Sequence, residues 1–310
     1  MQKFWGEIGF LYIFVRNGNF IIFYMELIPG IYEQIVNKLF SAKLGELNSE
    51  QFYIGKKPIG KKEAIELLTK YLSHLFEIAF EHADENQSPD VCISFVNKVI
   101  ETLGSTFNVA DADLNLVDAS NSILTAIVDR HNFDFPDIEE YLERITPSTS
   151  LSCSTVFFGG HGPVDIHTEL NREILSADEI CWVVSFIKVS GLNLLWDSLR
   201  YFTAKGKRLR IVTTTYTGAT DFDAIVKLSS LPNTEIKISY DGSQDRLHAK
   251  SYIFLRNSGF NTAYIGSSNL SRYALTDGKE WNIKVSQFQL PDVISAVRAS
   301  FESYWEDETK

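Results

Sequence analysis

Residues 247–286, LHAKSYIFLRNSGFNTAYIGSSNLSRYALTDGKEWNIKVS, concentrate side chains that could do covalent chemistry. The stretch opens with His248-Ala249-Lys250 at the head of an apolar run, Ser251–Leu255. On a strand alternate residues share a face, so His248 and Lys250 point the same way. A hairpin through Arg256–Asn261, centred on Asn257-Ser258-Gly259, returns the chain as Thr262–Ile265. It delivers Gly266-Ser267-Ser268-Asn269 at a strand end, and Glu280 then opens another strand, Trp281–Ser286. These parts suit cleavage of a phosphodiester without a metal. Imidazole can attack phosphorus and leave again near neutral pH. Lys250, Asn269 and the hydroxyls of Ser267 and Ser268 could supply charge and donors to the non-bridging oxygens. Glu280 could hold an imidazole in one tautomer.

Neither motif is specific alone. Among six histidines a chance His-x-Lys is unsurprising, and Gly-Ser-x-Asn is commonly just a turn. The two in order, each at a strand end and followed by Glu280, make a stronger signal. His74, His82, His131, His161 and His167 show no metal-ligand spacing and are expected to be surface or structural. No constellation looks built for Mg²⁺ or Zn²⁺, so no cofactor is expected. Lys205, Lys207, Arg208 and Arg210 could track a nucleic-acid backbone, or equally be cations at a helix end leading into a strand. Thr213-Thr214-Thr215-Tyr216 could line the cleft with hydroxyls, although β propensity explains threonines as well.

The elements that must position these residues alternate in type. Short β-branched or aromatic runs (Cys181–Ile187, Leu209–Thr214, Glu235–Tyr240) alternate with helical patterns such as Leu192–Phe202, which implies an α/β domain around a buried sheet. Thr146-Pro147-Ser148-Thr149-Ser150 is the expected boundary. Before it, from Met25 to about Ile145, the period is helical. Ile31, Ile35 and Leu39 mark one helix, and 64–75 a second. Gly104 ends a third, and 118–131 and 135–145 add two more, with Pro136 near the start of the last. This all-α region reads as an adaptor. The apolar pieces 8–15 and 20–24 are too short to span a bilayer and lack a cleavage site. They are read as an extension upstream of a start at Met25, with a packed hairpin as the alternative.

The chain has 310 residues, 45% of them hydrophobic and 22% charged, enough for a real core in one large or two ordinary domains. Three scattered cysteines exclude a disulfide scaffold, which points to a reduced, cytoplasmic protein. The net charge of -11 is uneven. Residues 171–310 carry 17 Lys/Arg against 16 Asp/Glu, and 200–290 carry 13 against 7. A basic second half is compatible with a phosphate-binding surface.

His248-x-Lys250, Gly266-Ser267-x-Asn269 and Glu280 together resemble the signature of the phospholipase D superfamily. The wording from Ser185 to Trp305, including SFIKVSGL, TTTYTGATD, AYIGSSNLSRYALTDGKEWN and FESYWED, is similar to one branch of it. That branch is the nuclease module found ahead of superfamily 2 (DEAD/DEAH-type) helicases in bacterial restriction and defence proteins. LIPGIYEQIVNKLF and FYIGKKPIGKKEA resemble its helical lead-in. The resemblance implies an α/β fold, a phospholipase D-like mixed β-sheet flanked by helices and preceded by an all-α N-terminal region. The expected parts are 1–24 (extension), 25–145 (helical adaptor) and 151–310 (catalytic domain). It also implies a metal-independent DNA nuclease working through a phosphohistidine, in anti-phage defence with a helicase or ATPase partner and away from the membrane. A non-cleaving DNA-binding module for a helicase is the alternative. The superfamily's two motifs meet at one site, yet this chain has one His-x-Lys, so a homodimer through 247–269 is expected. Two departures stand out. The usual Asp a few residues after the Lys is missing, with Ser251–Leu255 in its place. No Walker-type loop is present, and the chain stops where the helicase would begin, so the expectation is either a stand-alone version or one from which a motor domain has been removed.

Overall fold

The computed structural model describes residues 11–16, 19–24, 27, 29–33, 35–81, 89–118, 122–128, 137–159, 164–216, 218–240 and 246–307. They fall into two compact units, Met1–Thr125 and Ala126–Lys310. Met25, His82, His131, Pro136 and His161 lie outside the described residues.

In the first unit the aromatic and β-branched runs form β1 (Leu11–Arg16) and β2 (Asn19–Tyr24), an antiparallel pair in register from Leu11↔Tyr24 to Arg16↔Asn19. The helix expected from Ile31 begins only at Lys38. There Asn37 Oδ1 accepts from the Phe40 N–H at 2.9 Å and caps α1 (Lys38–Gly45). Helix α2 (Lys61–Glu81) starts where Glu63 reaches back to the Gly60 N–H. It meets α3 (Asp90–Phe107) through the rings of Phe76, Phe80 and Phe95. Gly104 does not end α3, which runs on to a left-handed Asn108 at φ 51°. A Cβ on Gly104 would lie 2.5 Å from Ala112 Cβ, so its glycine admits the short 3-10 helix Ala112–Asn115.

Residues 122–128, within the helix expected at 118–131, have no regular structure. Ile123, Leu124 and Ile127 are exposed there, so no packed face offsets the low helix propensity of β-branched residues. Helix α4 (Ile138–Ile145) starts three residues later than expected, capped by Asp137. It packs on α5 (Ile166–Ser176).

The second unit is built on a mixed seven-stranded sheet with order β3-β9-β8-β7-β4-β5-β6. The strands are β3 (Thr155–Phe158), β4 (Glu179–Val184), β5 (Arg208–Thr214), β6 (Thr234–Ser239), β7 (Lys250–Leu255), β8 (Thr262–Gly266) and β9 (Trp281–Ser286). β4, β5 and β6 are parallel, and the other pairings are antiparallel. Central β4 and β7 are near-continuous apolar runs because both faces are covered. On one face α5, α6 (Val189–Ala204) and α7 (Phe222–Ser229) bury Leu170, Leu195 and Leu228 against Trp182, Tyr252 and Phe254. After the short helix α8 (Arg272–Leu275), α9 (Pro291–Glu306) covers the other face with Ile294 and Phe301.

A buried ionic network that the sequence did not announce ties α5 to this sheet. Glu173 accepts from Arg256, from Thr262 Oγ at 2.7 Å and from Tyr264 OH at 2.9 Å, with Lys284 Nζ at 3.0 Å. Glu169 takes the N–H groups of Ser148 and Thr149 at 2.7 and 3.0 Å, clamping the segment expected to be a linker. Burial alone would push the Glu173 carboxyl up, but Arg256, Lys284 and the hydrogen bonds outweigh it and hold it low. Arg256→Met should therefore cost about 3–5 kcal/mol in urea unfolding, because it leaves a buried carboxylate short of a partner.

Candidate active site

The parallel strands β4, β5 and β6 end at Val184, Thr214 and Ser239, and β7 starts at that same end, Lys250 opposite Val184. β8 finishes there at Gly266, opposite Asn282 near the start of β9. The sheet therefore gathers His248, Lys250, Ser267–Asn269 and Glu280 at the carboxyl ends of the parallel strands, where open α/β sheets commonly hold ligands. Gly266 is required for this closure, since a Cβ there would sit 2.1 Å from the Trp281 carbonyl oxygen.

His248 is exposed just ahead of β7, while Lys250 is buried. The Lys250 ammonium donates to the His248 carbonyl at 2.7 Å and lies 3.0 and 3.2 Å from the two ring nitrogens. Near-equal distances put it over the imidazole face rather than along either lone pair. A ring nitrogen keeps its lone pair clear for attack while a cation waits beside it. Burial lowers the Lys250 pKa, and the Glu280 carboxylate opposes that fall.

Asn269 is held from its oxygen end. Its Oδ1 accepts from the Phe186 N–H at 3.1 Å, so the amide NH₂ is the end available to a phosphoryl oxygen. The loop is fastened on both sides. Lys188 N donates to Leu270 O at 2.8 Å, and Tyr252 OH donates to Ser268 O at 3.0 Å from below.

Three expectations need correction here. Ser268 is fully buried, its hydroxyl accepting from Asn282 Nδ2 at 2.8 Å and donating to Ala274 O, so it supports the loop and cannot reach substrate. Ser267 is exposed, but its Oγ accepts from Trp281 N at 3.0 Å and donates to Trp281 O at 3.4 Å, so its proton is directed within the chain. Among the described residues no hydrogen bond joins Glu280 to His248, so within one chain Glu280 acts on Lys250 by charge rather than orienting the imidazole.

The basic cluster is also misplaced for substrate. Arg208 pairs with Glu179, which pairs with Leu255, so Lys205, Lys207 and Arg208 lie toward the opposite end of the sheet, Arg208 roughly 17–20 Å from Lys250, while Arg210 is level with Ile253, about 10 Å along the strand. Its members are engaged as well. Arg210 is buried, bidentate to Glu302 at 2.7 Å and bonded to Glu179. Arg208 pairs with Glu235 at 2.7 Å, Lys207 with Asp178 at 3.3 Å, and Lys205 lies over the Tyr201 ring. By the same register Leu255, the last of the residues standing where an Asp was expected, sits a whole strand away from His248.

Other candidates have structural roles. Thr213 is buried and Thr214 Oγ donates to Ser239 O, so neither faces the site as a donor. His74 lies 3.8 Å from Glu77, and His167 Nδ1 is 2.7 Å from Asp165. Burial pushes the Cys181 thiol up to about 12, which removes it as a nucleophile. Among the described residues no group of three His, Cys, Asp or Glu is placed to hold a metal ion.

The coupling of Glu280 to Lys250 yields a pH test. A negative neighbour favours the ammonium, so Glu280→Gln should lower the Lys250 pKa further. The alkaline limb of kcat/KM against pH should move to lower pH in that variant. A limb that stays in place would disconnect the two groups.

Residues 170–305, within the second unit, match the family model described as cardiolipin synthase, PLD-like domain. No curated protein matches the chain. Among solved structures, NucT from Helicobacter pylori superposes with a TM-score of 0.42 at 15% identity, over 50% of this chain and 96% of that one. Nuc from Salmonella typhimurium, a phospholipase D family member, gives 0.38 at 19% identity over 49% and 94%. Yeast tyrosyl-DNA phosphodiesterase gives 0.28 at 13% identity over 43% and 31%.

Proposed function

We propose that this chain is a metal-independent phosphodiesterase that cleaves DNA through a phosphohistidine, as a homodimer with one composite site. The observation that carries the reading is the Lys250 ammonium over the His248 ring, facing a loop that presents the Asn269 amide. A ring nitrogen of His248 forms a bond to phosphorus as the P–O bond to the leaving strand breaks. The second copy's imidazole gives that oxygen a proton. The same imidazole then takes a proton from water, whose oxygen displaces His248 and restores both rings. Lys250 and Asn269 neutralise and hydrogen-bond the non-bridging oxygens as charge builds there.

Support for the dimer comes from the sheet's exposed margin. Val156 and Phe158 of β3 pair with Ile283 and Trp281 of β9, and Trp281 is 69% and Phe158 57% exposed. An exposed apolar patch beside a strand-end site is what an isologous contact would cover. Cleavage of plasmid should persist in EDTA and weaken as salt rises, since phosphate contacts release counterions. Strict dependence on added divalent metal would sink the phosphohistidine reading.

The resemblance of its sequence to helicase-associated modules supports a role in anti-phage defence with a helicase or ATPase partner in the cytoplasm. Co-purification from the native host checks the partner. Among the described residues no helix is long and apolar enough to cross a membrane. The second reading is a DNA-binding module that docks a helicase without cleaving. It is favoured by the lack, among the described residues, of a hydrogen bond between Glu280 and His248, and plasmid that stays intact with wild-type protein would select it.

A further inference from the structure

A nucleic-acid strand must continue beyond the one phosphodiester that His248 attacks, and the 205–210 cluster cannot guide it. At the site end, β5 and β6 finish with the pair Thr214↔Ser239. Tyr240 follows directly and is 73% exposed, and Tyr216 lies two residues past Thr214. The Tyr216 backbone is fixed, its N–H donating to Thr214 Oγ at 3.1 Å while that hydroxyl donates to Ser239 O at 2.9 Å. Exposed Arg246, two residues before His248, lays its guanidinium 5.6 Å from the Tyr216 ring centroid. Among the described residues no carboxylate pairs with Arg246.

We propose that Tyr216, Tyr240 and Arg246 form a stacking platform for unpaired nucleotides leaving the site, so that the chain takes single-stranded nucleic acid in preference to duplex. The proposal rests on the nuclease reading and names its substrate class. With strands about 4.8 Å apart, the ends of β5 and β6 that lead into half-buried Tyr216 and exposed Tyr240 lie roughly 10 and 15 Å across the sheet from Lys250. Aromatic faces bind bases whatever their sequence, but only when those faces are free, and in a duplex they are already stacked on one another. Duplex affinity comes instead from many phosphate contacts, to which the described residues beside Tyr216 contribute Arg246. An arginine stacked on a tyrosine adds charge and a second planar surface to the platform.

The test uses the full chain carrying His248→Ala, so that bound DNA survives, with a fluorescent 20-mer of dT and a duplex of equal length. Anisotropy should show the single strand bound at least about tenfold more tightly. Tyr216→Ala and Tyr240→Ala should each weaken it on the order of tenfold, with a smaller effect on duplex. Tyr216→Phe and Tyr240→Phe keep the ring and should keep the affinity, which separates lost stacking from misfolding. Equal affinity for duplex, alanine variants that bind dT as before, or phenylalanine variants as weak as alanine would overturn the platform. So would binding to anionic vesicles with none to dT. Hydrolysis of bis(p-nitrophenyl) phosphate by the wild-type chain needs no base. Its absence would tell against the nuclease reading, independently of the platform.

Discussion

A single turnover quenched in alkaline denaturant should trap substrate phosphate on His248, and His248→Ala should abolish both the adduct and turnover. The expectation follows from the state of the ring. His248 is exposed, and the Lys250 ammonium sits over its face instead of capping a nitrogen. A phosphoramidate persists in base and is lost in acid, so the quench determines whether the intermediate is seen. Removing a nucleophile typically costs orders of magnitude, here on the order of 10⁴-fold or more. Lys250→Ala and Asn269→Ala remove only stabilisation of the developing charge and should slow adduct formation on the order of 10²-fold each. The ranking is the diagnostic part. An active enzyme with no covalent species, or Asn269→Ala more damaging than His248→Ala, would argue for direct attack by water.

What could be read in advance follows from how local each cause is. That His248, Lys250 and Asn269 share one end of the sheet is legible in sequence because a strand, a hairpin and a second strand link them within 22 residues. The central strands were legible because burial on both faces demands unbroken apolar runs, as in β4. Ser268 was misread because nothing in Gly-Ser-Ser-Asn says which hydroxyl faces down. That choice is made by Asn282 and Ala274, which arrive later in the chain. Arg210 was misread for the same kind of reason, its partners Glu179 and Glu302 standing 31 and 92 residues away. Glu169, Glu173 and Lys284 are ordinary charges in sequence, and only the packing of α5 on β8 and β9 makes them a buried network. Gly104 looked like a stop because glycine often is one. Its role is the close approach of Ala112.

The larger test of the proposal concerns how many imidazoles one site holds. Attack and leaving-group protonation need two on opposite sides of phosphorus, and residues 171–310 contain only His248. A two-fold interface brings identical residues together, so the carboxyl-end loops of two copies can supply both. Refolding wild-type chains with excess His248→Ala chains places most wild-type copies in heterodimers. A composite site predicts that activity per wild-type chain collapses, because every heterodimer lacks one of its two imidazoles. Independent sites predict that it stays constant. The two outcomes diverge further as the excess grows, since the surviving wild-type homodimers decline with the square of the wild-type fraction. At fixed total chain, activity that falls with that square, and so in direct proportion to the wild-type fraction when taken per wild-type chain, locates both rings at one phosphorus. An active monomer on sizing at assay concentration would refute the composite site and require the second proton donor to come from within the same chain.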